Sequence, residues 1–288
     1  MTQLVTASGM PVHPIGIGTW GISSRENKQT YDALANIGYK NVEPYLGNEK
    51  AEIEGLKYSL LAGQNYIDTA GLYGAGYTNE VVGMAIAGVL DKVPRERMFV
   101  AHNVWKSDYG RVKPMVELAL EKLGIEYFDV AGPHSPHTTD WDTPPWQSAM
   151  RDISELIDEG LVLGASVSNF SAIDIEEAEQ IIGNQVITAQ MGFSVLDRKD
   201  QLLDNCKDRH IQVVGYQALR GRVLQNPVVT DIAESHGVSS AEVGLAYVIH
   251  RGVLPITKST DPRHIDTNLK ATHLALTNEE MNRLSRTT

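Results

Sequence analysis

The stretch "NYIDTAGLYGAGYTNEVVGMAIAGVL", Asn65 to Leu90, reads as one strand, one turn and one helix. The run from Asn65 to Ala70 is short and rich in strand-forming residues, and Gly71 stops it, as a turn stops a strand. From Tyr77 onward apolar residues fall at helical spacing, with Gly88 near the exit. The same unit recurs along the chain. Further strands are "IGIGTW" from Ile15, "MFVAHN" from Met98, "YFDVAG" from Tyr127 and "LVLGASVS" from Leu161. "VITAQMG" from Val186, "IQVVGYQ" from Ile211 and "VLPITK" from Val253 bring the total to eight. Amphipathic segments such as "RVKPMVELALEKLG", "PWQSAMRDISELIDEG" and "AEVGLAYVIHRG" lie between them. Strands alternating with helices build a parallel sheet, and eight copies without a linker favour its closure. The expected fold class is α/β, a (β/α)8 TIM barrel, formed as a single domain over residues 1–288. "LVTASGMPVHP", from Leu4, is expected to add an N-terminal β-hairpin with Ser8 and Gly9 at its turn. Residues 23–48 are longer than a connection needs and read as an extra helix or an enlarged loop.

Composition narrows the function classes. A hydrophobic content of 42% with 21% charged residues suits a globular chain with a sizeable core. The formal charge of −11 argues against nucleic acid or an anionic membrane surface as the main partner. The N-terminus has no basic region followed by an apolar run, and no apolar stretch is long enough to span a bilayer. Cys206 is the single cysteine, which excludes an intramolecular disulfide and fits a reducing, cytoplasmic location. His134 and His137 stand three apart in a proline-containing loop with no completing ligands, so no metal site is expected. A small molecule is the expected partner.

In a TIM barrel the chemistry sits where strands end at the C-terminal face. Strand two ends in Asp68 and is followed by Tyr73. Strand three, inside "FVAHNVW" from Phe99 to Trp105, ends in His102 and Asn103. Strand four leads to His134, strand five to Ser168 and Asn169, strand six to Gln190, strand seven to Tyr216, and strand eight to Lys258 and Ser259. A single strand-end Ser, Asn or Gln is as easily a cap for the following helix. Polar ends on seven of the strands are hard to explain as packing.

Four motifs carry a resemblance: "GIGTWG" at Gly16, "YIDTAGLYGAGYTNEVVG" at Tyr66, "SVSNFS" at Ser166 and "PITKSTDPRHIDTNLKA" at Pro255. In these the chain resembles the aldo-keto reductase superfamily over nearly its whole length. The second is the most specific, since Asp-Thr-Ala followed by Tyr-Gly and Asn-Glu-x-x-Gly is improbable by chance. The resemblance implies a barrel enzyme that uses NADP, with NAD possible, on a carbonyl or alcohol of a small molecule, as a monomer or small homo-oligomer. By the same resemblance Tyr73 is the general acid, His134 the active-site histidine and Asp68 their supporting carboxylate. Ser168, Asn169 and Gln190 correspond to the groups that hold the nicotinamide amide, and Tyr216 to the ring stacked on it. Lys258 and Ser259 correspond to the 2′-phosphate site and Asn268 to the adenine contact. Thr19, Trp20, Gln217, Leu219, Arg220, Thr260 and His264 complete the implied cofactor contacts.

Three departures from the family pattern matter. The catalytic lysine falls on Asn103. A charge at ~4 Å and an effective dielectric of about 20 is worth roughly 4 kcal/mol, so its loss raises the tyrosine pKa by up to about three units. Because strand side chains alternate faces, Asn103 in the mouth puts His102 toward the helices, and His102 substitutes for the lysine only if a bulge or a one-residue register shift brings it inside. At strand four, "DVAGPHSPH" has Ser135 where the family has tryptophan, and a second imidazole in His137, which suggests either a hydroxylated or charged substrate or simply a reshaped loop. At strand eight Arg263 precedes the usual phosphate arginine by one position and His264 takes that place, while "YQALRGR" in strand seven offers Arg220 and Arg222 to the pyrophosphate. The leading expectation is a NADP-dependent oxidoreductase with an atypical tetrad. The alternatives are a lyase or isomerase without net redox, such as a dehydratase or epimerase, and a cofactor-binding pseudo-enzyme.

Overall fold

The computed structural model describes residues 4–22, 48–137, 145–183 and 185–287. The extra helix or loop expected over 23–48 therefore lies outside the described residues except for Asn48. Eight parallel strands close into a barrel in sequence order. They are β1 (Gly16–Gly18), β2 (Tyr66–Ala70), β3 (Phe99–Val104), β4 (Val130–Pro133), β5 (Ala165–Ser168), β6 (Val186–Gly192), β7 (Gln212–Tyr216) and β8 (Leu254–Thr257). The helices around them are α1 (Glu49–Leu61), α2 (Tyr77–Ala87), α3 (Val112–Leu123), α4 (Trp146–Asp158), α5 (Ala172–Ile182) and α6 (Asp200–Asp208). They continue as α7 (Pro227–His236), α8 (Ser240–His250), α9 (Pro262–Lys270) and α10 (Asn278–Arg286).

All eight expected strands form, but β4 and β5 begin later than their apolar runs. Phe128 and Val162 make only an isolated parallel bridge, and the β5–β6 register shifts between Ala165 and Ser166. The N-terminal hairpin shrinks to a single antiparallel bridge between Val5 and Pro11, because proline has no N–H to extend the ladder. Its turn is at the expected place, with Gly9 at φ 79° and its N–H donating to the Thr6 carbonyl at 2.8 Å. The chain then carries Val12 into the bottom of the barrel, where His13 N–H donates to the Asn65 side chain at 2.7 Å.

Alternation along the strands sorts the barrel into layers. Tyr66, Phe99, Ala101, Val130, Val214, Leu254 and Ile256 point inward with Val12 and fill the lower interior. Tyr66 and Phe99 stack at 5.3 Å between ring centres. Gly16 is required by this filling, since a Cβ there would lie 2.8 Å from the Tyr66 ring. One step up the same inward columns stand Asp68 on β2 and Asn103 on β3, so the polar layer lies directly above an apolar floor. Ile67, Val100 and Val104 on the alternate face join the core between strands and helices.

Candidate active site

The β2–α2 connection brings Tyr73 back over the barrel mouth. A short 3-10 turn, Tyr73–Gly76, has Gly74 at φ 56° and Gly76 at φ 87°, left-handed values that favour glycine. Lys122 on α3 holds this turn by donating to the Gly76 carbonyl at 3.3 Å. Outside the barrel, Thr69 Oγ1 donates to Asn79 Oδ1 at 2.6 Å and ties β2 to α2. Tyr73 is thereby buried, with the Trp20 ring edge-on at 5.0 Å and the His134 ring edge-on at 6.0 Å.

Asp68 is the hub of the mouth. Its Oδ1 accepts from Gln190 Nε2 at 2.7 Å and from Asn103 Nδ2 at 2.9 Å, and the Tyr73 hydroxyl donates to the same carboxyl. Its backbone carbonyl accepts from Thr19 Oγ1 at 2.8 Å. All of these donors are uncharged. Burial pushes the carboxyl up to about 7, against the pull of the three side-chain hydrogen bonds.

His102 faces away from Asp68. Its ring is 2% exposed and stacks on Phe128 at 4.7 Å, on the helix side of β3, as alternation requires. Burial lowers its pKa to about 3, so it carries no charge at neutral pH. It does not supply a cation to the site.

His134 follows β4, with its N–H donating to the Val104 carbonyl at 2.9 Å. Burial lowers its pKa to about 4, which leaves the imidazole neutral. Its Nδ1 is buried with no hydrogen-bond partner among the described residues. An unpaired buried N–H is rarer than an unpaired acceptor, so the tautomer assigned here carries its proton on Nε2. Trp105 packs edge-on against the ring at 5.1 Å.

A continuous polar chain runs from this group along the mouth. Ser168 Oγ donates to Gln190 Oε1 at 3.3 Å, and Asn169 Nδ2 contacts Ser168 Oγ at 3.2 Å and the His134 carbonyl at 3.0 Å. Asn169 adopts φ 63°, a left-handed conformation that asparagine tolerates. Tyr216, at the end of β7, donates its hydroxyl to Asn169 Oδ1 at 2.6 Å.

The other predicted residues fall into two further groups. Lys258, Ser259, Thr260 and His264 lie on β8's exit and the start of α9, where Gly55 of α1 packs against the Thr260 backbone. Lys258 and His264 are exposed, and Asn268 is buried with Nδ2 3.5 Å from Thr257 Oγ1. Arg263 is paired with Asp261 at 2.7 Å, and Asp261 also caps α9. Gln217 and Arg220, with Arg222, line a cavity of about 840 Å³ between the loops after β6 and β7. Leu219 instead packs with the core, close to Gly244 of α8. Trp105 and Tyr109, which hold the surroundings of His134, are not among the residues singled out from the sequence. The aromatic residue just beyond Asn103 was the available signal for Trp105. Among the described residues no group of three or more His, Cys, Asp or Glu is placed to hold a metal, and no helix is long and apolar enough to cross a membrane.

The model of the Aldo/keto reductase family matches residues 14–287. The chain belongs to the aldo/keto reductase family. Membership places it among oxidoreductases acting on small molecules. This aldo/keto reductase is similar to the methylglyoxal reductase YeaE of Escherichia coli, 30% identical over 254 residues that cover 82% of this chain and 86% of that one. It is also similar to the aldehyde reductase YPR1 of Saccharomyces cerevisiae, 28% identical over 93% of this chain and 85% of that one. A solved aldo/keto reductase from Klebsiella pneumoniae in complex with NADP and acetate superposes with a TM-score of 0.80. It is 25% identical and covers 99% of this chain and 95% of its own.

Proposed function

We propose that this aldo/keto reductase is a NADP-dependent carbonyl reductase for a polar small molecule, with NAD as the lesser cofactor. The single observation that carries the reading is the convergence of Tyr73, Gln190 and Asn103 on one buried carboxyl, Asp68, beside a neutral His134. The reductase names of its relatives and the NADP held by a structural neighbour support it.

The mouth suits a nicotinamide cofactor. Ser168, Asn169 and Gln190 offer a hydroxyl and two amides for a carboxamide, and Tyr216 offers a flat face for the ring. Lys258 and Ser259 offer a cation and a hydroxyl for a phosphate, and Arg220 and Arg222 add cations toward the pyrophosphate. Thr19, Trp20, Gln217, Leu219, Thr260, His264 and Asn268 complete the assigned contacts, Leu219 through its backbone. The bound nicotinamide supplies the hydride that adds to the carbonyl carbon.

The remaining chemistry belongs to the chain. Nε2–H of His134 donates to the carbonyl oxygen and holds it toward Tyr73. As the oxygen gains charge, the Tyr73 hydroxyl gives it a proton, and the alcohol forms. Asn103 brings no cation to ease this transfer. A proton on Asp68 does the equivalent work: at neutral pH about half of the carboxyls near 7 are protonated. A protonated Asp68 cancels the charge beside the phenol and returns a proton to Tyr73 after the transfer. Asp68 then recovers its own proton from solvent.

One observation favours a second reading, a lyase or isomerase whose cofactor is oxidised and re-reduced within one turnover, with no net redox. Among the described residues the side chains that donate to Asp68 are the amides of Gln190 and Asn103 and the Tyr73 phenol, all uncharged, and Asn103 stands at the position that resembles the family's catalytic lysine. Steady-state consumption of NADPH and NADH with a panel of polar aldehydes and ketones separates the two. The reductase reading predicts net consumption, faster with NADPH. Tight cofactor binding without consumption sinks it.

A further inference from the structure

We infer that Tyr109 is a positioning residue for His134, setting the aim of the imidazole through the main chain of Ser135. The inference rests on the reading of His134 as the group that faces the substrate oxygen.

A histidine that must present one ring nitrogen is ordinarily aimed by a hydrogen bond at the other. His134 has none at Nδ1 among the described residues. Among the described residues its aim comes from the backbone and from packing. Each backbone atom around it is held. His134 N–H reaches Val104 on β3, and the His134 carbonyl receives Asn169 from the loop after β5. The next residue is fixed at both polar atoms by one side chain: the Tyr109 hydroxyl donates to the Ser135 carbonyl at 2.5 Å and accepts from the Ser135 N–H at 3.1 Å.

Tyr109 is placed to do this from within the core. Its ring is fully buried at 0% exposure, at the end of the short 3-10 turn Lys106–Asp108 that follows β3. Burial pushes the phenol pKa up, so the hydroxyl keeps the proton it donates. Ser135 itself has a small side chain and cannot wedge the loop. Prolines at 133 and 136 flank the segment and contribute no N–H. The pair of hydrogen bonds to Tyr109 therefore replaces the packing that a large residue at 135 would provide. Trp105, from the same connection, closes the open side of the imidazole.

The test compares Tyr109→Phe with Tyr247→Phe. Tyr247 is equally buried and also makes two hydrogen bonds through its hydroxyl, to Ser285 and from Arg251, but it lies on α8. Both variants should lose similar thermal stability. Tyr109→Phe should lower kcat by about ten- to a hundredfold, the usual cost of a small misplacement, while NADPH affinity stays within about twofold. The His134 ring resonance, assigned by its loss in His134→Gln, should shift or broaden only in Tyr109→Phe. That resonance is read without substrate, so it tests the inference even if the enzyme turns nothing over. If Tyr109→Phe behaves as Tyr247→Phe does, with stability lost but kcat and the His134 resonance unchanged, the inference is overturned.

Discussion

Asp68 accepts from the uncharged side chains of Gln190, Asn103 and Tyr73, and these neighbours are legible in the sequence only in part. The alternation of β3 was enough to place Asn103 inward and His102 outward. Gln190 on Asp68 was not legible, because 122 residues separate the pair and only barrel closure joins β6 to β2. The consequence is a pH-dependent stability. The carboxyl titrates near 7 in the folded chain and near 3.9 when unfolded, so its contribution is fully present below about pH 4. It is lost as pH rises toward and through 7. Asp68→Asn keeps the shape and the accepting oxygen, and removes this penalty of up to roughly 4 kcal/mol. Melting curves should show the variant gaining stability at pH 8 and little at pH 4; an equal change at both would contradict the buried-carboxyl account. Asn103→Lys acts on the same atom. An adjacent cation favours the carboxylate, so the carboxyl should fall well below 7 and the decline of reductase rate around neutral pH should vanish. At pH 8 the rate should rise, since the carboxylate is now neutralised. A lower rate at every pH would show that Asn103 serves a different mechanism.

Eight strand-helix units were readable as elements because each strand is short, apolar and closed by a glycine or polar end. Their exact starts were not, since β4 and β5 open on runs that lie outside the ladder and the β5–β6 register shifts between Ala165 and Ser166. The reason lies in a close approach that one-dimensional pattern does not encode. A Cβ on Gly132 would stand 1.6 Å from the Ser166 carbonyl oxygen, so β4 and β5 meet there backbone to backbone. Gly132 is two residues before His134, and the approach places β4's exit. Gly132→Ala should therefore cost several kcal/mol, in the range of severe overpacking, seen as a large drop in melting temperature. Gly71→Ala, whose Cβ would meet only the His102 ring at 4.0 Å, should melt close to the parent. Equal melting of the two would refute the β4–β5 constraint. The N-terminal turn was readable from Ser8 and Gly9, whereas its reduction to one bridge follows from Pro11.

At the scale of the molecule, the barrel stacks a polar mouth on an apolar floor. The floor is pinned by Val12 from below and by Arg95, whose guanidinium reaches the Met98 and Tyr127 carbonyls and pairs with Asp129 at 2.7 Å. The mouth gathers residues from seven strand ends, and most of its members were readable because a barrel puts every strand end on one face. What pattern could not supply was which of them touch. The geometry divides them into a core around Asp68, a group on β8 and α9, and a cavity between the loops after β6 and β7. The account stands or falls on whether that core moves a proton onto a reduced carbonyl. The direct measurement is NADPH consumption by the purified protein and by Tyr73→Phe, with the same polar aldehyde at the same pH. The account predicts consumption matched by alcohol formation, reduced by about 10²- to 10⁴-fold in Tyr73→Phe with NADPH still bound. NADPH consumed at the same rate by Tyr73→Phe, or not consumed at all by the parent protein, would contradict it.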